Sequence, residues 1–140
     1  MDKYFICLAN SYKRGGRCIA GIEILYNSPN NWSIIHREDG APSWIRPIAH
    51  TTYGEIPNIT ASKINYFTIV KLSDVTPCPN GIHVEDVNYS RIEVCGQVRP
   101  STDLLSSFVD NVHNTIFFNH GKAIPSYTTI PDAHSLMFIR

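Results

Sequence analysis

The residues best suited to chemistry lie at a polar turn between two apolar segments near the start of the chain. Lys13, Arg14 and Arg17 surround a Gly-Gly pair beside Ser11, and no carboxylate occurs from residue 3 to residue 22. Glycine permits positive φ and lets a ligand approach the main chain. Backbone N–H groups beside guanidinium and ammonium groups can hold a phosphate or another anion. The pattern predicts a β-hairpin with an anion-binding tip; a hairpin with a solvated basic loop is the alternative.

A second pair of residues suits recognition of a nucleotide. Trp44 and Arg46 stand two positions apart on a segment that predicts a strand, so their side chains point to the same face. An indole can stack on a base while a guanidinium holds its phosphate. The alternative is a tryptophan in the core with an arginine at its rim, because tryptophan is highly buried on average.

Histidines supply two weaker candidate sites. A Gly-containing segment with Asn119, His120 and Lys122 suits phosphate contact or proton transfer, and a tight polar turn is the alternative. If the segment at His83 is extended, Glu85 shares its face and can orient or charge the imidazole. Simple surface decoration is the alternative there, since exposed charge pairs contribute little. The candidates for catalysis are therefore His83, Glu85 and His120.

Other kinds of site leave no signature in the sequence. No two of the six histidines show i, i+4 spacing or an H-x-H arrangement, and the four cysteines form no C-x-x-C pair. We therefore expect no metal site. The chain also lacks a nucleophile elbow, a Walker-type phosphate loop and a Rossmann glycine pattern, so no cofactor is expected. These observations favour binding over catalysis.

The composition fits one compact domain with few charges. The 140 residues are 43% hydrophobic and 17% charged, with a formal net charge of zero. Long-range attraction to nucleic acid or to an anionic membrane is therefore not expected. No window approaches the roughly 20 apolar residues of a membrane span, and the chain begins without a secretory signal. We expect a cytoplasmic protein with no membrane partner and with four reduced cysteines.

Short apolar segments separated by turn-forming residues predict a mainly β protein with one helix. We expect five to seven short strands. The strand near residues 43–48 should be an edge strand or should end at Pro47, which cannot donate a ladder hydrogen bond. Ser101 or Thr102 can cap the helix, and apolar residues recur at helical spacing up to Val112. The sum predicts a small barrel or a strongly twisted sheet, with the helix covering one end.

Segments at both ends of the chain carry a family resemblance. They read ICLANS and GRCIAG around the first turn, then WIRPI, Gly54-Glu55, FNHGKAI and HSLMFI. In these segments the chain resembles the bacterial dual-OB-domain family. The resemblance implies small OB-like Greek-key barrels that bind oligonucleotides or oligosaccharides, and it brings no established reaction and no catalytic residues. Two complete OB barrels need about ten strands, and the sequence predicts five to seven. We therefore predict a single domain with a first barrel over 1–98 and a fragment or shortened second unit over 99–140.

Together these observations predict a binding module for single-stranded nucleic acid or a nucleotide. Lys13, Arg14 and Arg17 would contact phosphate, while Trp44 and Arg46 would contact a base and its phosphate. Two other functions stay open. One is a nucleotide- or nucleic-acid-processing enzyme that uses the histidine and glutamate candidates. The other is an interaction subunit that docks on a partner protein, or on a second copy, through an exposed strand edge or exposed aromatic residues.

Overall fold

The structure is a computed structural model that describes residues 1–79 and 83–108. Its described residues form nine strands and two short helices. The strands are β1 (Lys3–Lys13), β2 (Gly16–Ser28), β3 (Asn31–Ile34), β4 (Trp44–Pro47), β5 (Ile56–Pro57), β6 (Thr68–Ser73), β7 (Thr76–Pro77), β8 (Asp86–Asn88) and β9 (Arg91–Gln97). The helices are α1 (Asn58–Ala61) and α2 (Thr102–Ser107). The mainly β class is confirmed, although strands outnumber the five to seven expected and α1 is an additional helix. None of the described helices is long and apolar enough to cross a membrane.

All nine strands belong to one open, twisted sheet. Its strand order is β7-β8-β4-β2-β1-β6-β9, and β3 and β5 pair with β2 outside this row. Every pairing is antiparallel except that of β4 with β8, which is parallel. The long strand β2 therefore pairs with β1 along one edge and with β5, β4 and β3 in turn along the other. This arrangement makes the β1–β2 hairpin the central element of the fold.

A two-residue turn closes the β1–β2 hairpin. The ladder runs to Lys13 opposite Gly16, so Arg14 and Gly15 form the turn. Both have positive φ, 43° and 83°, as a type I′ turn requires, and the twist of that turn matches the twist of the flanking strands. A bulge between Cys7 and Ala9 bends β1 on its way to the tip. The predicted hairpin is thus present, and its tip stands at Arg14.

The sheet buries apolar side chains on both of its faces. Phe5 belongs to one buried cluster and the next residue, Ile6, to another, because successive side chains of a strand point to opposite faces. The first core contains Phe5, Cys7, Ile19, Ile45, Ile56, Ala61, Ile64, Val70, Leu72, Val75 and Val87. The second contains Ile6, Ala20, Ile22, Ile24, Trp44, Ile69, Val98 and Phe108. Two buried faces explain why β1 and β6 read as continuous apolar runs instead of alternating.

The face that carries the second core curls on itself. A Cβ built on Gly96 of β9 would lie 3.2 Å from the Cγ of Pro29, so the turn between β2 and β3 packs directly on β9. In the sheet, β9 is three places away from β2. Contact between elements so far apart in the strand order shows that the sheet bends into a partial barrel around the second core.

Helix α2 covers the second core. The Ser101 side chain accepts a hydrogen bond from the Leu104 backbone N–H at 3.1 Å, and Asp103 occupies the first turn, where a negative charge is favourable. Leu104 packs against the second core and Phe108 is fully buried in it. The predicted cap and start of the helix are confirmed, whereas its expected continuation to Val112 lies outside the described residues. The predicted division between 1–98 and 99–140 stays a prediction.

Strand β4 ends at Pro47, as one of the two alternatives for this strand predicted, whereas the other alternative, an edge strand, is wrong. It lies between β2 and β8, so it is an interior strand and not an edge strand. The backbone N–H groups of Arg46 and Ile48 donate to carbonyls of the β8 segment at 3.0 and 2.9 Å. The intervening Pro47 faces the opposite side, where pairing with β2 has already ended at Ile45. Proline is therefore tolerated at this position because sheet pairing needs no backbone N–H donor there.

Candidate ligand-binding site at the hairpin tip

Two arginines at the hairpin tip lie over the rings of exposed tyrosines. The guanidinium carbon of Arg17 is 3.8 Å from the ring centroid of Tyr12, and that of Arg14 is 4.3 Å from the centroid of Tyr53. Both distances are well within the range of cation–π attraction. Tyr12 is 80% exposed and Tyr53 is 50% exposed. Each arginine therefore covers part of a ring whose remaining surface is open.

A short segment docked beside the hairpin positions Tyr53. Strand β5 pairs with the start of β2, and the Asn58 side-chain amide donates to the carbonyl oxygen of Gly15 at 3.0 Å. Gly16 permits this close approach, because a Cβ there would lie 2.6 Å from the carbonyl oxygen of Ile56. A larger residue at position 16 would push β5 away. The hairpin turn and the loop that carries Tyr53 are thus held together as one surface.

The cations of the tip have no ion-pair partner among the residues that the structure describes. Within residues 1–79 and 83–108, no carboxylate oxygen lies within 4.0 Å of the charged nitrogens of Lys13, Arg14 or Arg17. Lys3, at the other end of β1, instead lies 3.3 Å from a carboxylate oxygen of Glu23. The predicted basic tip therefore keeps three cations available to an anion.

One carboxylate, Glu55, does lie close to the tip. It accepts a hydrogen bond from the Tyr53 backbone N–H at 2.9 Å. Its pKa is lowered by its own backbone amide first, then by the Thr51 hydroxyl, the Tyr53 amide and the charge of Lys13, and these outweigh an opposing effect of burial. The ionised carboxylate thus holds the loop in place through its hydrogen bond with the Tyr53 amide.

The candidate residues lie on both faces of the hairpin. Tyr12 stands opposite Arg17 in the ladder, while Lys13 stands opposite Gly16. Because side chains alternate along a strand, Tyr12 and Arg17 share the face of the first core, and Ser11 and Lys13 point to the face of the second core. The structure brings the predicted residues to one tip but places them on both of its sides.

Asn10 links the arginine of the first face to the body of the protein. Its side-chain oxygen accepts a hydrogen bond from Arg17 at 3.3 Å, and its side-chain amide donates to the carbonyl oxygen of Ile64 at 2.8 Å. Arg17 is therefore held between an amide and the ring of Tyr12. A guanidinium oriented in this way meets a ligand with less conformational freedom left to lose.

Trp44 and Arg46 occupy a different environment from the tip. Trp44 is 8% exposed within the second core, and its indole nitrogen has no hydrogen-bond partner among the described residues. Arg46 donates from Nε to Asp86 at 2.7 Å and lies 3.3 Å from Glu85. This matches the alternative of a core tryptophan with an arginine at its rim. A buried ring has no face for a base, so we leave both residues out of the proposed site.

The carboxylates around Arg46 keep its guanidinium charged. Burial alone would lower its pKa, but the hydrogen bond and charge of Asp86 and the charge of Glu85 raise it. His83 also approaches this cluster, with Nδ1 3.8 Å from the same Glu85 oxygen that faces Arg46. The expected proximity of His83 and Glu85 is thus present, but Glu85 is already engaged by an arginine.

Several expectations fall beyond the part of the chain that the structure describes. Asn119, His120 and Lys122 lie there, so the second histidine site stays a prediction. In the described residues no group of three or more His, Cys, Asp or Glu side chains could hold a metal ion. The four cysteines are free thiols.

The two tyrosines are the residues that the sequence analysis missed. Tyr12 could have been found, because a two-residue turn at Arg14-Gly15 necessarily places residue 12 opposite residue 17. Nothing local in the sequence points to Tyr53, since it reaches the tip only through the packing of β5 on β2. A residue brought in by tertiary contacts carries no spacing signal.

The described residues thus form a twisted sheet with an exposed, basic and aromatic hairpin tip. The sequence model of the family described as "Dual OB-containing domain" matches residues 3–140. The chain belongs to this family, and the resemblance noted in the sequence is confirmed. Membership makes it an OB-type binding module. No curated protein and no solved structure matches the chain.

Proposed function

We propose that the hairpin tip binds single-stranded nucleic acid or a nucleotide. The observation that carries the proposal is the exposed ring of Tyr12 with the guanidinium of Arg17 on one face. Its opposite face is open to a base, and stacking of a base on an aromatic side chain contributes about 1–3 kcal/mol. Tyr53 with Arg14 offers a second ring of the same kind.

Three cations supply the contacts to phosphate. Lys13, Arg14 and Arg17 lack carboxylate partners within the described residues, and Ser11 adds an exposed hydroxyl on the face of Lys13. Three phosphate contacts on a single strand predict a slope of about −2 for log K against log salt concentration. Because the net charge of the chain is zero, the attraction is local to the tip, and we expect modest affinity.

The test is a fluorescence-polarisation titration with labelled oligonucleotides and with mononucleotides at low salt. We expect Tyr12→Ala to weaken binding by roughly 5- to 150-fold, the equivalent of one lost stacking contact. Arg17→Ala should weaken binding and also reduce the salt slope by about 0.7, the value for one phosphate contact.

Matched controls lie elsewhere on the surface. Tyr66 is 55% exposed, and Arg91 is an exposed arginine paired with Glu93 at 2.6 Å on β9. Tyr66→Ala and Arg91→Ala should leave affinity unchanged. The proposal fails if no oligonucleotide or nucleotide binds at low salt, or if the control substitutions weaken binding as much as those at the tip. Absence of nucleic-acid binding would favour a protein partner for the exposed tyrosines.

A further inference from the structure

The two arginine–tyrosine pairs lie on different sides of the hairpin. Tyr12 and Arg17 face the side of the first core. Gly16 faces the other side, and a Cβ built on it would lie 2.8 Å from the Cγ of Glu55. Since Glu55 also accepts the hydrogen bond from the Tyr53 amide, the loop that carries Tyr53 packs on that other side. The two rings thus offer separate stacking surfaces, one beside Arg17 of β2 and the other beside Arg14 of the turn.

From this separation we infer that the ligand is a strand of at least two nucleotides that crosses the hairpin tip. One base stacks on Tyr12 and a later base stacks on Tyr53. The inference rests on the proposed function and narrows it from nucleotides in general to oligonucleotides. A mononucleotide has one base and can occupy only one of the two rings.

The cations are arranged to follow such a crossing strand. Arg17 stands on the first side, Arg14 occupies the turn, and Lys13 points to the second side. A strand that passes over the turn carries its linking phosphates past all three in that order. The turn projects no bulky apolar side chain into this path, because it consists of Arg14 and Gly15, and Gly15 is exposed. The tip thus offers a ring, a row of cations and a second ring along one line.

The inference predicts a dependence of affinity on ligand length. A mononucleotide gains one stacking contact, whereas a strand long enough to reach both rings gains two and also more phosphate contacts. The second stacking contact alone is expected to raise affinity at least fivefold. Affinity should then level off, because further nucleotides extend past the tip. For the wild-type chain we therefore expect a step in affinity as the ligand grows from one to a few nucleotides.

The experiment is a competition titration with 5′-phosphorylated oligothymidylates from one to about six nucleotides. It compares the wild-type chain with Tyr12→Ala, Tyr53→Ala and the control Tyr66→Ala. In each tip variant the increase in affinity with length should shrink by at least fivefold, to the part that the phosphate contacts supply, while binding of the mononucleotide through the remaining ring persists. The control should keep the step. Circular-dichroism melting of each variant checks the fold, which exposed side chains are not expected to affect.

Two failures are distinguishable. If thymidine monophosphate binds as tightly as the longest strand, the inference that a strand crosses the tip is wrong while the proposed function stands. The same holds if Tyr53→Ala keeps the full increase in affinity with ligand length. If neither the monophosphate nor any strand binds at low salt, the proposed function itself fails. A length-dependent increase in affinity that is at least fivefold smaller in both tip variants than in the wild-type chain, and is kept in Tyr66→Ala, supports the inference.

Discussion

Arg46→Ala should be among the most damaging single substitutions in the described part of the chain. The Arg46 guanidinium contacts Asp86 at 2.7 Å and Glu85 at 3.3 Å, and the three side chains are only 13%, 7% and 1% exposed. Alanine would remove the guanidinium that the two buried carboxylates share. The same side chains connect β4 to β8, whose parallel pairing covers two ladder positions.

The expected cost follows from this geometry. Removal of one partner from a buried ion pair destabilises a protein by about 3–5 kcal/mol, because a buried charge is left uncompensated. Arg46 serves two carboxylates, which places the substitution toward the upper end of that range. For a chain of this size, such a loss lowers the melting temperature by roughly 10–20 °C. Joint replacement of Arg46, Glu85 and Asp86 by apolar residues of similar size should restore much of the stability.

Urea unfolding followed by tryptophan fluorescence measures this free energy, and Trp44, two residues from Arg46 and buried, is a suitable reporter. Arg91→Ala is the matched control, because Arg91 forms an exposed pair with Glu93 and exposed pairs contribute about 0–1 kcal/mol. Should Arg46→Ala cost no more than Arg91→Ala, the reasoning that the buried cluster fastens β8 to the sheet would be refuted.

Three further predictions concern single groups. Arg14→Asn should raise the free energy of unfolding by about 0.5–1 kcal/mol, since the left-handed conformation at φ 43° strains most side chains and Asn-Gly favours this turn; a lower urea midpoint would contradict it. Burial raises the pKa of Cys7 to about 12, so mass spectrometry after iodoacetamide treatment should find Cys7 alkylated far more slowly than Cys18, and equal rates would count against the buried placement. The pKa of Glu55 is lowered in the folded state, so its contribution to stability is present above its unfolded pKa of roughly 4.3 and is lost as pH falls through the lower folded value. NMR of the Tyr53 amide should report that loss, and Glu55→Gln should abolish its pH dependence.

Local chemistry made part of the fold predictable. The serine cap and following apolar spacing set the start of α2 at Thr102, and the Gly-Gly pair set the hairpin turn. Both features are decided within a few residues by backbone preferences, so neighbours in sequence suffice to predict them. The long apolar runs of β1 and β6 were also recognisable as strands, although their neighbours in the sheet were not.

Features set by distant contacts were not predictable. Strands β5 and β7 are two residues long and exist only because a partner pairs with them, which explains the underestimate of strand number. The environment of Trp44 depends on which face of β4 meets the second core. Arg46 finds its carboxylates 40 residues away. In each case the sequence supplies the residue type, and the topology decides whether that residue binds a ligand or stabilises the fold.

The outer part of the β1–β2 hairpin is attached to the sheet at its inner end and exposes side chains on both faces. Residues 4–6 of β1 are flanked by β2 and β6, whereas residues 9–13 pair with β2 alone among the described strands. The bulge at Cys7/Ala9 marks this change, so the strands that divide the two cores continue outward past them. Only a segment beyond both cores can expose side chains on two faces, because nearer the base each face is buried. The proposed binding surface thus lies where the shared hairpin leaves the cores, and its attachment to them orients the tip.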